Sequence, residues 1–342
     1  MKPISITARS VLTVVAVLAG IWFLFAIRDI LALLFIAIII ASALNPLVDF
    51  FEKFSAPRWF VIICLYIIIF TLLGVLLLGG VPLVYLQLQE FVLSLPEVFA
   101  ESLHSLNLSE FLTGIQIKDY LPEIFRTFSG QIISTPVSVL KLAASVFGGL
   151  LDVFTLIVFS YYLLLERNKV INYVSLVAPE ASRERVAEFV EKGEKKLGAW
   201  LRGQLTLMFI IGLFSFIGLS ILNIRFAASL AIIAGLLEIV PLIGPVVATI
   251  PAVMVALTQS PLHAVAIVAL YIFIQQLEQY LVVPHVMKSA VGLDPLIVIL
   301  AIMVGSRISG TAGALLAIPV SVILLILWQE YKRSSVYPTS KE

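Results

Sequence analysis

Charge, cysteine and clustered metal ligands are all scarce in this 342-residue sequence. Only 13% of residues are charged, and 61% are hydrophobic. A soluble domain carries about 25% charged and about 45–50% apolar residues. That deficit excludes an ordinary soluble fold and indicates an integral membrane protein. The net charge of +1 leaves no basic patch for nucleic acid. The single cysteine, Cys64, sits in an apolar run, so no disulfide framework and no cysteine metal site is expected within the chain. The three histidines, His104, His263 and His285, are scattered away from metal-site spacing. No GxxxxGK phosphate loop and no G-x-S-x-G elbow is present. We therefore expect no enzyme, no ATP motor, no metal and no cofactor.

Long apolar runs are abundant. A spanning helix needs about 20 apolar residues. Candidates are Val11–Ile27, Ile30–Leu44, Phe60–Val81, Ser145–Leu165, Thr206–Leu222, Phe226–Leu257, Ala264–Val283 and Pro295–Trp328. The first follows Lys2 and Arg9 but lacks a small-x-small cleavage site, so it reads as a retained span. The expected fold is an all-α polytopic membrane protein with about six to eight transmembrane helices. Two broken units, 226–257 and 295–328, fall in its C-terminal half.

The organisation reads as N-terminal transmembrane helices over 1–84, an acidic amphipathic segment over 85–144 and a span over 145–165. A basic amphipathic helix over 166–202 follows, then a core over 203–330 and a tail over 331–342. The segment 166–202 carries Arg167, Lys169, Arg183, Arg185, Lys192, Lys195, Lys196 and Arg202. By the bias of Lys and Arg toward the inner face, it is cytoplasmic. Segment 85–144 is then extracytoplasmic, and both termini lie inside.

The broken units carry the chemistry. "LLEIVPLIGPVVATIP" (236–251) places Glu238 beside Pro241, Gly244 and Pro245. Each proline withdraws one amide hydrogen from the helix ladder. Carbonyls left free beside Glu238 would make a cation or proton site at the negative end of a half-helix. The second unit breaks at Gly305-Ser306-Arg307-Ile308-Ser309-Gly310. Read as re-entrant hairpins, the two dip from opposite faces, an inverted repeat with a site near the midplane. Read as kinks, both units simply span. Ala227, Ala231 and Gly235 recur every fourth residue, as do Gly305, Ser309, Gly313 and Ala317 if that stretch is one helix; such faces let helix backbones approach.

An ionisable residue in a membrane span is costly and marks function by default. Glu238 is accordingly the first transport or coupling candidate. The competing reading pairs it structurally with a basic residue such as Arg307, which is itself a transport candidate able to bind an anion. Glu278 is the second carboxylate candidate, with Gln275 and Gln276 beside it. The run "IQQLEQYLVVP" (274–284) adds Gln275, Gln276, Glu278 and Gln279. Gln275, Glu278 and Gln279 share a helical face by the three-and-four spacing. That face needs protein or water rather than lipid. Two function classes follow: a secondary transporter, or a non-transporting membrane scaffold. A channel is a third, without a filter motif to support it.

Three stretches together, "EIVPLIGPVVATIPAV", "QQLEQYLVVPHVMKSAVGLDPL" and "VGSRISGTAGALLAIPV", resemble the AI-2E family of bacterial transporters, also called the autoinducer-2 exporter or PerM-like permease family. The resemblance runs over the whole chain. It is carried by Glu238, Pro241, Gly244, Pro245, Gln276, Glu278, Pro284, Gly292, Pro295, Gly305, Gly310, Gly313 and Pro319. Asp294 stands where the family often has histidine. The resemblance implies a multi-pass protein of the bacterial inner membrane that assembles as a homo-oligomer, a pentamer being one form. It implies export of a small polar signal such as autoinducer-2, or sodium (lithium)/proton antiport, with H+ or Na+ as coupling ion.

Overall fold

The computed structural model describes residues 8–75, 149–241, 243–287 and 294–336. Segment 85–144, Lys288, Gly292 and the end of the tail lie outside the described residues. Among those described, only helices and turns occur. Among the described residues, five helical stretches are long and apolar enough to cross a membrane, and shorter apolar helices accompany them. Lipid offers the backbone no hydrogen bonds, so long apolar runs must satisfy their amides internally as helix. The exterior fits that solvent: large apolar side chains such as Trp22, Phe25, Leu72, Phe209 and Leu262 are exposed.

The N-terminal part comprises α1 (Ala8–Ala26), α2 (Arg28–Glu52), α3 (Arg58–Val75) and α4 (Leu150–Leu165). Helices α2, α3 and α4 meet in an apolar cluster centred on Val48, Ile62 and Leu164. Arg58 fastens one end of it. The guanidinium donates to the Leu164 carbonyl at 2.9 Å, to Asn45 at 2.7 Å, and to Asp49 and Glu52 at 3.0 and 2.8 Å.

After α5 (Arg167–Leu176), the chain forms α6 (Arg183–Ile221), a single helix of 39 residues. The charged stretch and the apolar run 206–222 are therefore one element. Most of the later helices contact α6 directly. Its charged end ties to α5 through Arg167–Glu194 at 2.7 Å and to the last helix through Lys192–Glu330 at 2.8 Å. Pro46 inside α2 cannot donate to the carbonyl of Ser42. Arg202 of α6 donates to that carbonyl at 3.2 Å and to that of Ala43 at 3.0 Å. Gly198 presses against the same carbonyl, leaving no room for a Cβ. A proline in one helix thus creates the acceptor that an arginine in another recognises.

The first broken unit is α7 (Ala227–Leu237) and α8 (Ile243–Gln259). Its outer ends meet: the Gln259 side chain donates to the Asn223 carbonyl at 3.2 Å. Leu230, Ala234, Ala248, Ala252 and Val255 pack in one cluster between its arms and α6. The unit is a hairpin, hairpin 1, whose mouth lies at Asn223 and Gln259 and whose apex lies at 238–241. Ser260 then caps α9 (Pro261–Leu277), accepting from the His263 amide at 3.2 Å with Pro261 in the first turn. A π turn (Glu278–Val282) and α10 (Val283–Val286) complete that span. Pro284, just past the π turn, has no N–H to extend the ladder.

The second broken unit is α11 (Pro295–Val336), interrupted at Ser309 and Gly310. Gly310 has φ +60, a backbone region open to glycine. Gly305 and Gly313 contact backbone to backbone, so a Cβ on either would strike the carbonyl of the other. Eight residues of straight helix would separate them by about 12 Å. This unit is hairpin 2, with arms 295–308 and 311–336. The small-residue stripe is thus corrected: Gly305 and Ser309 sit on one arm or its tip, Gly313 and Ala317 on the other, and they face each other. Val298 packs with Leu197, Trp200, Met287 and Val322 at the charged end of α6. Pro319 is fully buried in the second arm. Hairpin 2 opens toward the charged end and hairpin 1 toward the other, so the broken units enter the bundle from opposite sides.

Candidate functional site

The apex of hairpin 1 brings together residues far apart in sequence. Glu238 caps the end of α7 and is 0% exposed. Glu278 begins the π turn after α9 and is 5% exposed. Their carboxyl groups lie within hydrogen-bonding reach of one another. Neither oxygen of Glu238 has a donor among the described residues. As carboxylates both groups only accept, so a proton or cation must lie between them before they join. The C-terminal end of the α7 dipole adds to the negative potential there. Gln275 supports the pair, its amide donating to Glu278 Oε2 at 3.0 Å.

Gln204 of α6 packs against the same apex. It is 1% exposed, and its amide donates to the main-chain carbonyl of Glu238. That bond fixes the side chain and leaves Gln204 Oε1 buried without a donor. Sequence reasoning missed Gln204. Its only signal was a glutamine at the edge of an apolar run, in "LRGQLT" (201–206).

The break differs from the sequence expectation in its carbonyls. Those of Leu236, Leu237 and Val240 accept from the amides of Ile239, Val240 and Gly244 at 3.2, 3.1 and 2.8 Å. The Glu238 carbonyl is taken by Gln204. A tight turn of 3₁₀ type, with the Val240 amide on the Leu237 carbonyl, replaces the bond that Pro241 removes. The side-chain acceptors left without donors at this apex are both oxygens of Glu238 and Oε1 of Gln204. Gly244 allows the closeness: a Cβ there would collide with the Leu237 carbonyl. Gly244 and Pro245 are both buried in the first turn of α8.

Not every candidate converges. Arg307, near the tip of hairpin 2, is exposed and forms no ion pair with Glu238 among the described residues. The structural pairing of those two is thereby corrected. Gln276 and Gln279 are exposed, while Gln275 is partly buried. The π turn starting at Glu278 widens the helix and carries Gln279 away from the face it would share in an α-helix. Depth differs too. Gln204 lies 17 residues from the mouth end of α6 and two from Arg202. At about 1.5 Å per residue, the carboxyl pair sits roughly 25 Å below the mouth, near the charged end rather than halfway along the span.

The family profile described as AI-2E family transporter matches residues 11–333. The chain is similar to YrrI of Bacillus subtilis (strain 168), named as a candidate transport protein, with 26% identity covering 91% of this chain and 89% of that one. It is 28% identical to MT0215 of Mycobacterium tuberculosis (strain CDC 1551 / Oshkosh), also named as a candidate transport protein, over 91% of this chain and 85% of that one. It is 25% identical to PerM of Escherichia coli (strain K12), named as a candidate permease, over 92% and 91% of the two chains. None of these names states a cargo.

Proposed function

The chain belongs to the AI-2E family of transporters, and from that footing we propose that it is a secondary transporter of the bacterial inner membrane, exporting a small polar metabolite or signal of the autoinducer-2 kind in exchange with an ion or proton gradient. The observation that carries the reading is the buried Glu238–Glu278 pair, with three acceptor oxygens of Glu238 and Gln204 left without donors. Two adjacent carboxylates in a low-dielectric site repel strongly and demand a proton or cation between them. A group that must bind a cation to be stable, at the apex of a broken helix, is suited to gradient coupling. In this reading Glu238 and Glu278 carry the coupling ion, and Gln275 and Gln204 orient them. Gly244 and Gly310, with Pro241 and Pro245, let the two hairpins bend, and Pro284 loosens the end of the span that carries Glu278.

A second reading, Na+(Li+)/H+ antiport, is favoured by one specific feature. The available groups are all oxygens, from two carboxylates and the amide of Gln204, and hard cations take oxygen ligands. A scaffold role leaves the buried carboxyl pair without a purpose.

We place the charged end of α6 in the cytoplasm by the bias of Lys and Arg to that side, so hairpin 1 opens outward and both termini lie inside. Gln276 and Arg307 are exposed on apolar helices. Lipid does not tolerate such groups deep in the bilayer. A homo-oligomer would cover them with a neighbouring subunit.

The test is a flux screen in proteoliposomes holding the full chain, with Na+, protons and autoinducer-2-like sugars compared. Glu238→Gln is expected to abolish gradient-driven flux while leaving the size-exclusion profile unchanged. Wild-type flux in that variant removes the assignment.

A further inference from the structure

Two other buried polar groups face each other in the same bundle. Ser215 of α6 is 0% exposed and Tyr271 of α9 is 6% exposed. The Tyr271 hydroxyl faces Ser215 Oγ, yet neither atom forms a directed hydrogen bond among the described residues. The serine is unusual. Several other helical hydroxyls return to their own backbone, Thr155 to Leu151, Ser160 to Leu156, Thr206 to Arg202 and Ser321 to Ala317. That bond is the default for a serine or threonine in an apolar helix. Ser215 forgoes it and turns across the helix interface. A buried hydroxyl without a partner costs about 1–3 kcal/mol, so a dry structural role is disfavoured for both.

Their position supplies the role. Tyr271, Ile274 and Glu278 lie on one buried face of α9. Tyr271 sits two turns, about 10 Å, from Glu278 on the mouth side. Gln275, already bonded to Glu278, comes between them on the same face. On α6, Ser215 lies eleven residues toward the mouth from Gln204. The mouth is polar, with Asn223, Gln259, Ser260 and His263. Leu219, Ala252 and Ile267, each 0% exposed, close the space around the hydroxyl pair.

We propose that Ser215 and Tyr271 form a hydroxyl gate, a second polar station that holds water and passes protons or small hydrated ions between the carboxyl pair and the mouth of hairpin 1. The gate is shut in this conformation, and movement of hairpin 1 against α6 and α9 opens it. What it serves rests on the coupling role of Glu238 and Glu278, whereas its hydration does not.

Cysteine labelling tests the gate without reference to transport. Cys64 is the one native cysteine, so Cys64→Ala supplies a clean background. Ser215→Cys, Phe216→Cys and Asn223→Cys are each reconstituted and treated with a charged, membrane-impermeant methanethiosulfonate reagent. Asn223→Cys at the mouth marks full access, and Phe216→Cys on the apolar exterior marks lipid. Ser215→Cys is expected to react, more slowly than Asn223→Cys. A Ser215→Cys as inert as Phe216→Cys overturns the gate. Tyr271→Phe gives an independent reading: flux about tenfold slower, the effect of one buried hydroxyl, with the half-saturating ion concentration unchanged. Unaltered flux in Tyr271→Phe overturns the gate as well. Normal flux in Glu238→Gln overturns the coupling site instead, and labelling of Ser215→Cys then still establishes a hydrated gate.

Discussion

Glu238 announces itself in the sequence because a lone carboxylate in a membrane run has no cheap explanation. Glu278 does so more weakly, within a polar face of a span. Their meeting is not legible there, since forty positions separate them and only the folding of hairpin 1 against α9 joins them. Gln204 is harder still, being one amide at the margin of an apolar run. Pro241 suggested a free carbonyl at Leu237, but the Val240 amide occupies it, and Gln204 takes the carbonyl of Glu238. Local turn geometry decided that outcome, and proline counting does not reach it. At this scale Gln204→Leu is expected to strip the Glu238 carbonyl of its donor. A lost buried hydrogen bond costs about 1–3 kcal/mol. The thermal midpoint in detergent should fall, and the half-saturating concentration of the coupling ion should rise. An unchanged midpoint would show that the amide does not hold the apex.

Both interruptions are visible in the sequence, one in Pro241 and Pro245, the other in the glycines flanking Arg307. Whether an interruption kinks a helix or reverses it depends on tertiary contacts. Hairpin 1 closes through Gln259 and Asn223 at its mouth. Hairpin 2 closes through Gly305 and Gly313, whose backbones touch. Their spacing read as one packing stripe because a four-residue repeat continues across the turn unaltered. Spin labels on Leu296 and Leu324, both exposed, separate the alternatives. The two positions are level in the hairpin, and neighbouring helices pack about 8–10 Å apart. Label separations under about 20 Å are expected for such neighbours. A straight α11 would place them roughly 42 Å apart, and a distance near that value would exclude the hairpin.

The whole molecule reads as a long central helix with one hairpin entering from each end. The charged end is braced by Arg58, Arg167, Lys192 and Arg202, and the other end carries the mouth. The all-α plan and the alternation of spans and broken units follow from apolar run lengths. The position of the carboxyl pair near the charged end does not, because it depends on how deep hairpin 1 reaches. In the proposed mechanism Glu238 and Glu278 act as one coupling unit at that apex. A double-mutant cycle of gradient-driven flux measures this directly. Glu238→Gln, Glu278→Gln and the double variant should all lose coupled flux to the same floor, since removing either half of a single unit removes all of it. Losses that add in the double variant, or wild-type coupled flux in either single one, would contradict the account.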